Sequence, residues 1–180
     1  NKQWMEDFLA ANGVGILVEK INVRVSRVPL TELDAALLME MVMCCKAIMN
    51  NSTGMDKVLT TSGAIDAIAR CLEFEWKALA LEALEILSVC CFYSAEGTYL
   101  TLNGLRHASR SLQESPFLSL IKAVSEQDVE IRHAIVVLIN YMVSGVANIQ
   151  LRILLRQELE AVGFSEICQS SIISTQKDIH

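Results

Sequence analysis

The side chains in this sequence that could perform acid–base chemistry are few and widely spaced. There are three histidines, His107, His133 and His180, and none of them lies in a recognisable catalytic motif. His133 stands in the first half of an apolar segment, three residues after Glu130, which favours a histidine at the edge of a helix surface over a general base. The histidines therefore predict no catalytic site.

Cysteines are the other side chains suited to nucleophilic chemistry or metal binding. The six cysteines lie at positions 44, 45, 71, 90, 91 and 168. Adjacent pairs on helix-like segments have poor disulfide geometry, and no Cys-x-x-Cys spacing that would indicate zinc occurs. We expect free thiols that pack as small apolar side chains in a reducing compartment. A helical enzyme with a cysteine nucleophile is an open alternative, which rapid reaction of one thiol would reveal.

Two further patterns indicate chemistry only weakly. The Gly13–Gly15 segment resembles half of a phosphate-binding loop, but it lacks a preceding strand and a third glycine. Glu82 and Glu85 are three residues apart, a spacing typical of a solvated helix face. We predict that the chain is not an enzyme and that it needs no cofactor or metal ion.

Composition indicates that helices position these residues. The 180 residues are 52% hydrophobic and 20% charged, a balance that excludes disorder. Only 6% are aromatic, and two prolines with eight glycines are too few for the turns of an all-β protein. The net charge of −6, without a basic patch, disfavours nucleic-acid binding. No apolar run reaches the roughly 20 residues of a membrane span, and we expect no signal peptide.

A recurring junction indicates internal repeats. Gly13, Gly63, Pro116 and Gly163 each follow a leucine by four residues and precede an apolar run. A glycine at such a point ends one helix in a left-handed conformation and lets the next helix start at an angle. The junctions are 50, 53 and 47 residues apart, close to the period of armadillo and HEAT repeats. An irregular helical bundle with ordinary glycine caps is the alternative.

Each period also contains one helix-like segment that is apolar on almost every side. These segments are residues 37–50, 77–92 and 129–141. A helix of this kind is buried by neighbours on both sides, as the inner helix of a solenoid repeat is. We therefore predict an all-α protein, a right-handed α-solenoid of about four armadillo-like repeats over residues 1–170. Residues 171–180 are expected to form a polar tail or the start of a following helix.

Helix-capping residues set the expected helix starts. Thr31, followed by Asp34, and Thr53, followed by Asp56, each read as a cap. Ser115 with Pro116 is expected to begin a third helix, and Ser125 or Asp128 to begin the last apolar one.

The inner helices are expected to present one shared stripe. Asn50 and Asn140 stand at the ends of two apolar segments, where an asparagine either caps the helix or hydrogen-bonds a bound peptide. Phe92 occupies the same position in the middle repeat, and residues three positions earlier share its face. The predicted peptide groove consists of Ala47, Asn50, Val89, Phe92, Val137 and Asn140.

Several segments in order resemble a known family. The opening Trp4, Phe8 and Leu9 are followed by the other matching segments, which are Lys46–Asn51 with Gly54, Leu87–Cys91, Leu138–Asn140, Leu151–Arg152 and Arg156–Gly163. Together they resemble the armadillo-repeat inhibitory domain (formin homology 3 region) of diaphanous-related and formin-like formins, over about Trp4 to Ser170.

The resemblance implies an autoinhibitory function. In that family the concave groove binds an amphipathic autoregulatory helix near the C-terminus of the same protein, and a GTP-bound Rho-family GTPase displaces it. The family's groove residues carry over onto Asn50, Val89, Phe92, Val137 and Asn140. Val89 replaces a typical alanine, Phe92 an aliphatic residue, and Val137 the glutamine of some members, which narrows the groove and makes it less polar.

The resemblance also implies partners and a location. GTPase contacts are expected around Asn1, Trp4 and Phe8, and binding by this chain alone is expected to be weak because the chain is read as a fragment that lacks most of the preceding helices. Actin would be bound only by other formin regions, in the cytoplasm at the cytoskeleton and cell cortex. An armadillo or HEAT adaptor for an unrelated peptide is the alternative. In import adaptors, tryptophans lie at the groove positions of successive inner helices. Neither Trp4 nor Trp76 lies at such a position here, which disfavours an import adaptor.

Overall fold

The described residues form ten helices that follow one another with short connections. The computed structural model describes residues 2–112, 115–126 and 128–167, and among them every regular element is a helix. The helices are α1 Lys2–Ala10, α2 Gly13–Val25, α3 Glu32–Ile48, α4 Ser52–Thr60, α5 Ala64–Ala69, α6 Lys77–Tyr93, α7 Ala95–Leu112, α8 Pro116–Glu126, α9 Val129–Gly145 and α10 Ile149–Ala161.

These helices are arranged as successive trios. The inner helix α3 packs against α6, and α6 packs against α9, while α2 packs against α5 and α5 against α7 on the outer layer. Within each trio the glycine or proline junction separates the first helix from the second. The predicted all-α solenoid is confirmed: it comprises α1–α3, α4–α6 and α7–α9, and α10 with Gly163 repeats the start of a trio. The right-handed sense and a complete fourth repeat stay predictions.

The junctions between the first and second helices use three different solutions. Gly63 and Gly163 adopt the predicted left-handed conformation, with φ of 75° and 87°. At the first junction the prediction was wrong, because Asn12 takes this conformation (φ 57°) and Gly13 is the first residue of α2. Gly13 lies against the ring of Phe8, which would have to shift to admit a Cβ atom at this position. Pro116 begins α8, where its fixed φ suits the first turn.

Side-chain caps fix where the inner helices begin. Thr31 forms the predicted capping box with Asp34 at the start of α3. Asp128, rather than Ser125, caps α9 by accepting the backbone N–H groups of Glu130 and Ile131 at 3.1 Å. Both caps satisfy backbone donors that would otherwise lack partners at a helix start.

A second kind of cap links the inner helices α3 and α6 to the trios that follow them. The prediction for Thr53 was wrong, because Asn51 caps α4 by accepting the N–H of Gly54 at 2.8 Å. Ser94 accepts the N–H of Gly97 in the same way at 3.0 Å. A Cβ at either glycine would overlap a carbonyl oxygen at the end of the preceding inner helix. Glycine three residues after the cap therefore lets the two helices meet at a tight corner.

The core runs along the stack of inner helices. Leu84 and Leu87 of α6 are fully buried. Because α6 packs against α3, α5, α7 and α9, this segment is apolar on almost every side. A polar cluster ties α2 to α3, since Asp34 accepts hydrogen bonds from Arg24 at 2.8 Å and from Arg27 at 3.1 Å. No helix in the described part of the chain is long and apolar enough to cross a bilayer.

The two tryptophans lie in different trios. Trp4 of α1 is exposed and stacks on Phe8, with ring centroids 5.3 Å apart. Trp76 immediately precedes α6 and is half-buried against the core. Of the predicted GTPase contacts, Trp4 and Phe8 therefore form one aromatic stack on α1, and Asn1 lies outside the described residues.

Candidate peptide-binding groove

Helices α6 and α9 lie side by side and run in the same direction. Their starts are joined by Lys77, whose ammonium group is 2.5 Å from carboxylate oxygens of both Asp128 and Glu130. Near their ends, the rings of Phe92 and Tyr141 meet edge-on, with centroids 5.4 Å apart and an interplanar angle of 61°. An open cleft of about 710 Å³ lies between the two helices. We call it the α6–α9 cleft.

Three of the predicted groove residues line this cleft together. Val89 and Phe92 of α6 are 43% and 73% exposed, although both are large apolar side chains. Val137 of α9 is half-buried opposite them. The apolar stripe predicted from the i and i+3 positions therefore exists at the middle inner helix, and it faces a second helix across an open cleft.

The structure separates the other three predicted groove residues. Asn50 lies beside Val89 in a small adjoining cavity of about 100 Å³ between α3 and α6. Ala47 is exposed on α3. Asn140 lines a different cleft, of about 540 Å³, between α9 and the segment that includes Arg156 and Phe164. The predicted stripe is thus divided among three neighbouring surfaces.

Asn50 and Asn140 do not occupy equivalent positions, because the two inner helices end at different points relative to them. Asn50 follows α3, and its neighbour Met49 occupies the C-terminal cap position. Asn140 was wrongly placed at a helix end, because α9 continues to Gly145. Asn140 is exposed on the body of α9, so its side chain does not cap this helix.

Sequence reasoning missed part of the lining. Ala134 and Tyr141 continue the apolar wall on α9, and Leu81 continues it on α6. The signal was present, since positions 130, 133, 134, 137 and 141 follow the three- and four-residue spacing of one helix face. An inner helix shows such spacing on every side, so the pattern alone does not indicate which face stays open.

Two ion-pair clusters make the rim of the cleft acidic. Lys46 of α3 donates hydrogen bonds to Glu82 and Glu85 of α6, both at 2.8 Å, so these carboxylates bind a cation rather than only solvent. The bonds to Glu82 and then Glu85 raise the pKa of Lys46. Each cluster joins one lysine to two carboxylates and keeps a net charge of −1.

The second cluster lies at the start of the cleft. Bonds to Asp128 and then Glu130 raise the pKa of Lys77, and the bond from Lys77 lowers the pKa of Asp128. Since the two clusters together carry a net charge of −2, this end of the cleft attracts cationic side chains. His133 is exposed on the same wall.

Among the described residues, no cysteine lines the α6–α9 cleft. Burial raises the pKa of Cys45, Cys71 and Cys90 to about 12 and that of Cys91 to about 11. Such thiols stay protonated at neutral pH and are poor nucleophiles. Cys44 differs from the prediction, because it is exposed on α3. Within the described residues no group of three His, Cys, Asp or Glu side chains is arranged to hold a metal ion.

Comparison with protein families divides the chain in two. Residues 2–92 match the Diaphanous GTPase-binding Domain, and residues 100–179 match the Diaphanous FH3 Domain. The chain belongs to the diaphanous-related formin family. The two matches meet at the junction between α6 and α7, inside the solenoid. The α6–α9 cleft of this formin chain therefore takes one wall from each matched domain.

Relatives from distant organisms match most of the chain. Inverted formin-2 of Xenopus tropicalis is 26% identical over 158 residues, covering 86% of this chain and 11% of the relative. Formin-A of Dictyostelium discoideum is 26% identical over 174 residues, covering 91% and 14%. Protein diaphanous homolog 3 of Homo sapiens is 21% identical over 165 residues, also covering 91% and 14%. The chain thus spans a small part of the length of these relatives.

Proposed function

We propose that this chain is an autoinhibitory module of a formin. Its α6–α9 cleft binds an amphipathic helix from the C-terminal region of the same protein, and this contact restrains actin nucleation and elongation by other regions. The observation that carries the proposal is the open apolar cleft, with Val89 and Phe92 exposed on one wall, in a chain that matches formin regulatory domains.

The binding energy in this proposal comes mainly from apolar burial. Leu or Met side chains of the helix pack on Val89, Phe92 and Val137, and full burial of one such side chain contributes about 1.5–3 kcal/mol. Asn50 flanks this contact and supplies a hydrogen-bonding side chain at the α3 side. Basic residues of the helix are attracted to the two acidic clusters at the rim.

A GTP-bound Rho-family GTPase relieves the inhibition in this proposal. The match of residues 2–92 to a GTPase-binding domain supports this partner. The exposed stack of Trp4 on Phe8 offers an aromatic contact on α1. Because α6 belongs to the same matched region and forms one wall of the cleft, GTPase binding and helix binding involve connected surfaces. We expect the full protein to act in the cytoplasm, at the actin cytoskeleton and cell cortex.

Calorimetric titration tests the helix-binding part of the proposal. The chain is titrated with the C-terminal amphipathic segment of its own full-length protein, and saturable binding of micromolar or tighter affinity is expected. Val89→Asp places an unpaired charge in the apolar contact and weakens binding by several kcal/mol, on the order of 100-fold or more. Val23→Asp is the matched control, since Val23 is an exposed valine on α2 outside the cleft.

The outcomes separate the candidate functions. If Val89→Asp stays folded and binds as tightly as the wild type, the cleft is not the binding site. If the folded wild type does not bind the segment, the proposed function is wrong, and the alternative of an armadillo-type scaffold for an unrelated peptide is favoured. Competition for the helix by a GTP-loaded Rho-family GTPase in the full-length protein, and none by the GDP form, tests the relief step.

A further inference from the structure

The ring of Phe92 is held in place by a single aromatic neighbour. Phe92 lies in the last turn of α6 and is 73% exposed, so little of the core restrains it. Tyr141 meets it edge-on at 5.4 Å and 61°, a favourable arrangement for two aromatic rings. Tyr141 is itself half-buried on α9, one helical turn after Val137. The less exposed Tyr141 ring therefore supports the more exposed ring of Phe92.

This pair closes one end of the α6–α9 cleft. Phe92 and Tyr141 come from opposite walls, and both line the cleft with the valines Val89 and Val137. Ring centroids 5.4 Å apart leave no space for a third ring between them. The exposed face of Phe92 remains open to a narrow, flexible side chain such as Leu or Met.

We propose that Tyr141 is a positioning residue that holds Phe92 across the cleft, so that the pair selects a helix anchored by Leu or Met and rejects one anchored by Phe or Trp. This inference rests on the proposed function, since it specifies the helix that the α6–α9 cleft accepts. A bulky ring at the anchor position displaces Phe92 from its contact with Tyr141, which produces the same kind of strain as overpacking a core.

Two peptides test the selection. One is the C-terminal amphipathic segment of the full-length protein with Leu at its apolar anchor positions, and the other has Phe at those positions. The wild type is expected to bind the Leu peptide about tenfold more tightly. Tyr141→Phe keeps the ring and the preference. Tyr141→Ala and Tyr141→Leu remove the ring, and the ratio of the two affinities falls to about twofold or less.

The ratio distinguishes selection from general damage to the fold. A purely structural role for Tyr141 weakens both peptides equally and leaves the ratio unchanged, which would overturn the inference, as would equal binding of both peptides by the wild type. Tyr141→Leu keeps an apolar side chain on α9 and serves if Tyr141→Ala does not fold. If the wild type binds neither peptide, the proposed function fails and the selection fails with it.

Discussion

At the residue scale, burial divides the five cysteines among the described residues into two chemical classes. Cys44 is exposed on α3, whereas its neighbour Cys45 faces the core one position later. The same helix thus carries one accessible thiol and one whose pKa burial raises to about 12. The adjacent pair at positions 90 and 91 is buried on both members, because α6 is covered on both sides.

Thiol titration is expected to give the number of accessible and of buried thiols. In a Cys168→Ser variant, which removes the cysteine outside the described residues, one thiol reacts rapidly with an aromatic disulfide reagent in the folded state. The other four react only after unfolding in guanidinium, because their burial keeps them protonated and inaccessible. Peptide mapping by mass spectrometry should assign the fast thiol to Cys44. A fast thiol at Cys90 or Cys91 would contradict the packing of α6.

Asp34 provides a pH-dependent contribution to stability. The hydrogen bond from the Thr31 hydroxyl, at 2.7 Å, is the largest influence that lowers the pKa of Asp34, and Arg27 and Arg24 lower it further. Since the pKa is lower in the folded than in the unfolded state, this stabilisation is present above about pH 3.8 and is lost as the pH falls through the folded value.

Asp34→Asn is therefore expected to lower the urea midpoint at pH 7. The difference from the wild type should shrink as the pH falls below about 3.8, because the Asp34 carboxylate of the unfolded chain then takes up a proton while the folded one is still ionised. It should vanish once the pH falls through the lower pKa of the folded state. Glu32→Gln, at an exposed neighbouring acid, is the control. A difference that stays constant down to the acid limit would show that the charge of Asp34 does not stabilise α3.

At the element scale, the corners after the inner helices depend on glycine. Gly97→Ala is expected to destabilise the chain by about 1–3 kcal/mol, since the added methyl group overlaps the carbonyl oxygen of Cys90. Gly104→Ala in the same helix is the matched control. Its Cβ would lie 3.2 Å from the Ala69 methyl group and the Ile65 carbonyl oxygen, a much smaller overlap than that at Gly97, so a smaller loss of stability is expected. Urea unfolding measures both, and equal loss in the two variants would show that the corner adapts.

The inner helices could be predicted from sequence because each is apolar on every side. The predicted segment 77–92 agrees with α6, Lys77–Tyr93, and the predicted start at 129 agrees with α9. Asn140 was misplaced because repeat arithmetic assumes equal helices, whereas α9 extends past it to Gly145. Periodicity records which residues are apolar, and it does not record how far each helix extends.

The sequence predicted three residues that line the cleft, but it did not predict which face of the inner helices stays open. Val89, Phe92 and Val137 do share one cleft, but Tyr141 looked like any other apolar residue of an inner helix. Its importance comes from the distance to Phe92 across two trios, 49 residues apart in sequence. Contacts of that range depend on how the trios stack, which local patterns do not specify.

At the scale of the whole molecule, stacked trios are expected to differ in local stability. The inner helix α6 is packed by α3 on one side and α9 on the other, whereas α1 and α10 have fewer buried residues and few neighbours. Amide hydrogen exchange measured by mass spectrometry should therefore be slowest in α6 and fastest in α1 and α10. Uniform exchange across the ten helices would indicate that the solenoid opens as one cooperative unit.

The division between the family matches has a structural counterpart at this scale. The GTPase-binding match ends at Phe92, and the FH3 match begins in α7, yet α6 packs closely on both α7 and α9. The two matched regions thus share one continuous core. A cut between residues 92 and 100 would expose the apolar faces of α6 and α9, so the two halves are expected to be unstable when separated.

The placement of the two tryptophans makes this chain its own fluorescent reporter. Trp4 sits on the exposed outer end of the first trio, and Trp76 sits at the entrance of the central inner helix. A Trp4→Phe protein emits only from the centre of the stack, and a Trp76→Phe protein only from its edge. Melting followed in the two proteins would show directly whether unfolding begins at α1 or at the start of α6.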